Sequence, residues 1–149
     1  MAERFDLYFQ SLGARDPFGT KPFTFGQTQS LGIAGLQKLA NMFVKYLMTT
    51  VGSDPLDLNA GTALPSLIGS NVDASDVQEI LQLAVDKTVS AIIAIQSTQA
   101  PPVAETLASA TVTDFISIPS LPGFSAQIYI QNVAGVGLTF LLPALVGVT

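Results

Sequence analysis

The chain is 149 residues long, 48% hydrophobic and only 11% charged, with a net charge of −5. The length fits one domain with one hydrophobic core, whereas the charged fraction is well below the roughly 25% of a typical soluble domain. The absence of Cys and His excludes disulfides, Cys/His zinc sites, Cys nucleophiles and His-based triads. The few Lys and Arg residues are scattered, which argues against nucleic-acid binding. So little charge predicts that other chains or lipid cover much of the surface.

Residues 1–28 are predicted to form an extended arm, and residues 29–149 a single domain. The arm contains half of the chain's nine Phe and three Tyr residues, interleaved with Gly and Pro, and has no persistent helical or strand period. Aromatic side chains on an irregular segment need a surface to pack on. They pack either on the protein's own core or on a neighbouring chain, and the sequence leaves both alternatives open.

An amphipathic helix is predicted over residues 30–50. Apolar residues recur there at the i, i+3, i+4, i+7 spacing, from Ile33 to Leu47, which indicates a core-facing stripe. Ser30 is a suitable N-cap, and Gly52 a suitable stop after the last turn. Residues 52–72 follow as a loop with one short helical turn. Three apolar residues of that turn are expected to reach the core: Leu64, Leu67 and Ile68.

A second helix is predicted over residues 74–95, with an apolar stripe from Val77 to Ile95. Ser75 and Gln78 have the form of a capping box at its start. Beyond Lys87 the segment is apolar on all sides. A helix end without a polar face indicates a buried end.

The chain after this helix alternates like a series of strands. β-branched residues are frequent over residues 106–118, apolar and polar residues alternate over 126–131, and a last strand is predicted over 138–142, ended by Pro143. Helices followed by an antiparallel meander predict an α+β domain. We therefore expect two main helices and then a small antiparallel sheet.

Carboxylates are the one remaining basis for enzymatic chemistry. Glycoside hydrolysis needs two carboxyl groups that face each other across a cleft, whereas the acidic residues of the second helix lie on a face typical of solvation. An enzymatic alternative would rest on Glu79 or Asp57. A Ca²⁺ site built from Asp54, Asp57 and Asn59 would not have the spacing of an EF-hand. The sequence thus predicts no catalytic residue, no metal and no cofactor.

The loop over residues 52–61 is the most distinctive stretch. Gly52 and Gly61 permit positive φ, and Pro55 fixes a turn. Three polar side chains between the glycines can hydrogen-bond to nearby backbone groups, namely Ser53, Asp57 and Asn59. We expect a structural loop that its own side chains order.

The order of these segments resembles the contractile-tail sheath initiator family. Its members are baseplate wedge proteins of myophages, with a counterpart in the type VI secretion baseplate. The resemblance covers residues 30–92 and includes Ser-Leu-Gly before the first helix, Leu-Met-Thr-Thr at its end, a short apolar turn and a second capped helix. Between the helices lies the pattern Gly-Ser-x-Pro-x-Asp-x-x-x-Gly, formed by Gly52, Ser53, Pro55, Asp57 and Gly61.

This resemblance implies a structural subunit of the virion tail baseplate, without catalysis, assembled in the host cytoplasm as about six copies around the tail axis. Its expected partners are the tail sheath protein, other baseplate wedge proteins and the tail tube or hub, and not nucleic acid or membrane. Strands near the C-terminus would pair with the first sheath ring by β-augmentation. The residues expected in that pairing are Gln127, Ile128, Tyr129, Ile130, Leu138 and Phe140.

The chain departs from the family at the polar wedge contact. Family members often carry Glu-Pro-Arg at the end of the second helix, where this chain has Val89, Ser90 and Ala91. An apolar wedge contact is expected instead. It would use Val89, Ile92, Ile93 and Ile95.

Residues 133–148 leave a membrane alternative, a virion or secretion-system component anchored by this apolar segment. The segment is almost wholly apolar, and nothing after Asp114 is charged. It is nevertheless shorter than the roughly 20 residues of a spanning helix, contains Gly and Pro, and has no flanking basic residue. Strands covered by protein are the favoured interpretation.

Overall fold

The fold comes from a computed structural model that describes residues 34–67, 72–118 and 123–144. It contains helix α1 (Leu36–Leu47), helix α2 (Ala74–Gln99) and strands β1 (Leu107–Ile118), β2 (Gly123–Asn132) and β3 (Gly137–Ala144). Short 3-10 turns lie at Leu64–Leu67 and Val103–Glu105. The strands form an antiparallel sheet in the order β1-β2-β3. The predicted α+β fold, with two main helices before a small antiparallel sheet, is confirmed. The arm over residues 1–28, Ser30 and Ile68 lie outside the described residues.

The core lies between the two helices and one face of the sheet. Side chains of a strand point to alternate faces, and β2 follows this rule, with Phe124, Ala126, Ile128 and Ile130 buried. The two isoleucines are fully buried, which contributes about 1.5–3 kcal/mol each. The apolar stripes of the helices and the predicted turn residues Leu64 and Leu67 join the same cluster.

An aromatic pair joins α1 to the sheet. The rings of Phe43 and Phe140 meet edge to face, with their centroids 6.0 Å apart. Phe43 is fully buried, and Phe140 packs against the core from β3. Such pairs contribute about 0.5–1.5 kcal/mol beyond the area they bury. The third strand is therefore part of the folded domain and not an appendage.

The helix boundaries differ from the predicted ones. Within the described residues α1 begins at Leu36, and α2 extends to Gln99 and ends at Ala100 in the left-handed conformation before Pro101. The predicted capping box is wrong. Asp73 occupies the N-cap position without a side-chain cap, so Ser75 lies within the first turn because the helix starts two residues earlier than a Ser75 cap requires.

The predicted buried end of α2 is also wrong for the isolated chain. Ile93 is 44% exposed and Ile95 is 38% exposed. The core covers only the side of the helix that carries Thr88, Ile92 and Gln96, which are buried. Ile93 and Ile95 flank this buried side, while Ser90, Ala94 and Ser97 on the opposite side are exposed.

Two buried amides hold the connection between α2 and the sheet. The Gln96 side chain donates to the carbonyl oxygen of Glu105 at 2.8 Å and accepts from the Leu107 N–H at 2.8 Å. The Asn132 side chain donates to the Ala104 carbonyl at 2.9 Å and accepts from the Val136 N–H at 2.8 Å. The backbone N–H and carbonyl groups in this connection are thus hydrogen-bonded to the two amides, which avoids the cost of burying them without a partner.

The Glu105 carboxylate joins the same connection to the start of α1. It accepts from the Gly35 N–H at 3.2 Å and from Lys38 Nζ at 2.8 Å. The Gly35 N–H lies at the N-terminus of α1, where helix amides have no partner within the helix. Glu105 and the two amides therefore fix the sheet relative to both helices.

Candidate interaction surfaces

The loop between α1 and the Leu64–Leu67 turn folds back onto the end of α1. Gly52 and Gly61 have φ of 84° and 93°, as predicted. Thr62 is almost fully buried, donates through its hydroxyl to the Leu47 carbonyl at 2.7 Å and through its N–H to the Thr49 carbonyl at 2.8 Å. A Cβ at Gly61 would overlap the Thr49 carbonyl. Both glycines are thus required by backbone geometry.

Side chains within the loop order its tip, as predicted for Ser53 and Asp57, whereas Asn59 takes part through its backbone N–H and Asp54 adds a bond that was not predicted. The Ser53 hydroxyl donates to the Thr50 carbonyl at 2.7 Å. The Asp54 carboxylate accepts from the Leu56 N–H at 2.9 Å, and the Asp57 carboxylate accepts from the Asn59 N–H at 3.0 Å. Each Asp thereby closes a local Asx turn. In the described ranges, no three Asp or Glu side chains are grouped so that they could hold a metal ion.

The same loop presents apolar side chains to solvent. Leu56 is 95% exposed, Leu58 is 64% exposed and Val51 is 46% exposed. The sequence alone did not identify them as exposed. Leu64 and Leu67 of the next turn are residues of the same type and are buried, so residue type does not distinguish the two cases. Whether a leucine of this region is exposed or buried depends on the three-dimensional path of the loop. An irregular loop has no hydrophobic period from which that path could be predicted.

The structure changes which of the predicted sheath-pairing residues are available. Strand β2 is paired with β1 on one side and with β3 on the other. Its residues Gln127, Ile128, Tyr129 and Ile130 therefore have no open main-chain edge, and a pairing of β2 with another chain requires the sheet to open. The expected pairing of these four residues with the sheath stays a prediction that now requires the central strand to be released from a neighbour.

Strand β3 forms one edge of the sheet and carries Leu138 and Phe140. Both side chains point inward and pack against the core. The Asn132 N–H donates to the Val136 carbonyl at 2.9 Å, and main-chain bonding alternates along an antiparallel pair. The alternation directs the main-chain groups of Leu138 and Phe140 towards β2 and those of Thr139 and Leu141 outward.

The outward side of β3 is regular and uncharged. Its register with β2 runs without a shift from Gly137 to Ala144. Pro143 has no N–H, and it occupies one of the outward positions, where a proline removes no bond of the sheet. The ring of Tyr129 fills the space beside Gly137, where a Cβ would overlap it. An aromatic side chain over an edge glycine stabilises the register of the pair.

The predicted wedge-contact residues divide into two groups. Ile92 is fully buried, and Val89 is partly buried and packs against the core. Ile93 and Ile95 are exposed. A contact through Ile92 is therefore incompatible with this conformation, because its side chain faces inward. The exposed residues of this set are Ile93 and Ile95, which point to different sides of α2 because they are two residues apart.

A cleft of about 670 Å³ lies between the first half of α2 and β1. It contains two carboxylates, Glu79 and Asp114, and both side chains are exposed. Asp57, the other acidic residue of the enzymatic alternative, is in the loop and does not line this cleft. Acid–base catalysis uses an acid and a base held in a shaped pocket. Exposed carboxylates on a solvated rim do not form such a pocket.

Two apolar segments bear on the membrane alternative. Gly137–Ala144 is a strand of the sheet, with Leu142 buried, so the corresponding part of residues 133–148 is not a spanning helix. Helix α2 is long and apolar enough over Ser75–Gln99 to cross a membrane by length and composition alone. A core helix of a soluble domain meets the same criterion; here the stripe from Val77 to Ile92 is buried, while 33% of the apolar window as a whole is buried.

Comparisons with known proteins add no relative. No protein-family model matches the chain, and no curated protein matches it.

Proposed function

We propose that this chain is a structural subunit of a contractile-tail baseplate that initiates sheath assembly by strand pairing. In this role β3 adds to an extended segment of the first sheath ring, and the exposed end of α2 contacts a neighbouring wedge subunit. About six copies surround the tail axis, and no step is catalytic. The proposal joins the family resemblance of residues 30–92 to the sheet edge described above.

The observation that carries the proposal is the outer edge of β3, which pairs with no other strand among the described residues. Exposed edges are normally blunted by charge, bulges or short length. Strand β3 has no charged residue and no register shift, whereas β1, the other edge, has two shifts and carries Asp114. Pro143 removes one donor near the end of this edge, but the outward main-chain groups of Thr139 and Leu141 can still bond to an added strand. The sheath segment is therefore assigned to β3 and not to β1.

The loop and helices supply the second support. The glycines of the pattern, Gly52 and Gly61, both adopt positive φ, and the pattern's Ser53 and Asp57 both bond within the loop. Four of the five pattern residues, Gly52, Ser53, Asp57 and Gly61, thus have a physical reason for their place. The loop is compatible with the resemblance in these four positions.

A proline at the outward edge tests the strand-pairing mechanism. Thr139→Pro removes an N–H that points away from β2, so the fold should remain while one main-chain bond to the sheath segment is lost. Tails assembled with this variant should carry sheath about tenfold less often, the loss expected for one such bond. The matched control is Thr139→Val, which keeps the N–H and should assemble normally. The readout is the fraction of sheathed tails in electron micrographs.

Normal sheath on Thr139→Pro particles, with the variant folded and incorporated, would sink the assignment to β3. The membrane alternative is separated by flotation with liposomes. The baseplate proposal predicts that the purified chain stays at the bottom of the gradient. Flotation of the folded chain with the lipid would favour the membrane-associated component.

A further inference from the structure

We propose that the exposed tip of the loop is a second docking element, for a protein partner that has an apolar pocket bordered by Lys or Arg. The tip consists of Leu56 and Leu58 together with the carboxylates of Asp54 and Asp57. It is separate from the β3 edge and from the end of α2. The inference does not depend on the identity of the particle and goes beyond sheath initiation.

Exposure of the two leucines is the first observation. Leu56 is 95% exposed and Leu58 is 64% exposed, while the folded core lies a few residues away at Ala60 and Leu64. The Asp54 and Asp57 carboxylates bond to the Leu56 and Asn59 N–H groups, so the tip that carries the leucines is held by its own side chains. Two exposed leucines two residues apart in one loop can fill an apolar pocket of a partner.

Order within the loop is the second observation. The base is fixed by the Thr62 bonds to Leu47 and Thr49, and the tip by the bonds to Asp54 and Asp57. A loop that already has its bound conformation loses little conformational entropy when it docks. The leucines are therefore presented on a preformed support.

Charge selects the kind of partner. Asp54 and Asp57 flank the leucines, so a complementary surface carries positive charge around an apolar centre. A second copy of this chain is a poor match, because the chain has 11 Asp and Glu against 6 Lys and Arg. An anionic lipid surface attracts basic segments and not an acidic loop. A different protein with a basic rim remains as the occupant.

Site-specific photocrosslinking in the cells that naturally produce the protein tests this inference. A photoreactive phenylalanine analogue replaces Leu56, and in the control it replaces Leu83, a leucine of similar type that is 60% exposed on α2. We expect position 56, and not position 83, to crosslink to a different protein. The crosslinked peptide should contain Lys or Arg beside apolar residues.

Two double variants then separate the apolar and charged contributions. Leu56→Ser with Leu58→Ser, examined with the photoreactive residue at Val51, should abolish the crosslink. Asp54→Asn with Asp57→Asn keeps the side-chain oxygens that accept from Leu56 and Asn59 but removes both charges. It should lower the crosslink yield at low salt by about fivefold and remove its salt dependence. Unchanged thermal unfolding would show that each variant is folded.

Three results would overturn the inference. They are a yield at position 56 no higher than at position 83, crosslinking only to a second copy of the chain, and an unchanged yield in the Asn double variant. None of these results bears on the proposed sheath initiation, which is tested with the Thr139 variants at the β3 edge. The two proposals therefore fail separately.

Discussion

Gly61 closes the loop onto α1 because it has no side chain. Its φ of 93° is a conformation that L-residues rarely adopt, and its Cα lies against the Thr49 carbonyl. Gly52 has a similar φ of 84°, but a Cβ there would meet no atom within 4 Å. Both glycines avoid the cost of the left-handed conformation, but only Gly61 also avoids a steric overlap. A comparison of the two positions therefore distinguishes these two costs.

Alanine at each glycine should have different costs. Gly52→Ala should lower the free energy of unfolding by about 1–2 kcal/mol, the cost of the left-handed conformation for a residue with a Cβ. Gly61→Ala should cost roughly 1–3 kcal/mol more, because the new methyl overlaps backbone that cannot move without breaking the Thr62 bonds. Urea unfolding of both variants measures the difference. Equal losses would contradict the close approach to Thr49.

Strand β3 contributes both to the stability of the domain and to the proposed strand pairing. Its inward residues Leu138 and Phe140 stabilise the domain, and its outward main-chain groups are open to a partner. Adjacent positions on one strand therefore have different roles. A substitution can remove one role and leave the other.

Proline at adjacent positions of β3 should show this alternation. Leu138→Pro removes an N–H that bonds to β2 and an inward side chain, whereas Thr139→Pro removes neither. We expect Leu138→Pro to be less stable than Thr139→Pro by about 2–3 kcal/mol, from the unpaired carbonyl and the altered packing. Urea denaturation measures this difference in the free energy of unfolding, provided that both variants are fitted with one denaturant slope (m value). A larger loss at Thr139 would mean that the bonding phase is the reverse of the one inferred.

At the scale of the whole molecule, helices and sheet share one core. Strands β2 and β3 supply five of its buried residues: Phe124, Ala126, Ile128, Ile130 and Leu142. Strand β1 adds Leu107 to this core, and the two helices also pack on each other, so the helices bury their apolar stripes in one cluster shared with the sheet. The domain should fold and unfold as one unit.

Truncation after Pro122 should therefore unfold the protein. The shortened chain loses both strands that face α1 and the centre of the sheet, and the loss of several fully buried side chains exceeds the 5–15 kcal/mol that stabilises a typical domain. Circular dichroism during heating should show no cooperative transition, while the full chain shows one. A cooperative transition in the truncated chain would contradict the single core. Because unfolding alone would abolish sheath assembly, the truncation cannot test strand pairing, and the Thr139 variants can.

Local patterns in the sequence determined the elements. The helical period predicted α1 and α2, the alternation predicted the strands, and Gly52 and Gly61 predicted the positive φ angles, all because these features depend on neighbours within a few residues. The same reasoning predicted the local bonds of Ser53 and Asp57. It failed at the N-terminus of α2, where Asp73 and not the predicted Ser75 occupies the N-cap position.

Only the tertiary structure decided which of these elements has an open surface. Strand order makes β2 central, so the predicted pairing residues Gln127 to Ile130 are enclosed, and it leaves β3 at an edge. Packing turns Ile92 inward and leaves Ile93 and Ile95 uncovered, although all three look alike in the sequence. Leu56 and Leu58 are exposed for the same reason. A residue's type determines whether burial is favourable, but the arrangement of distant segments determines whether anything is there to bury it.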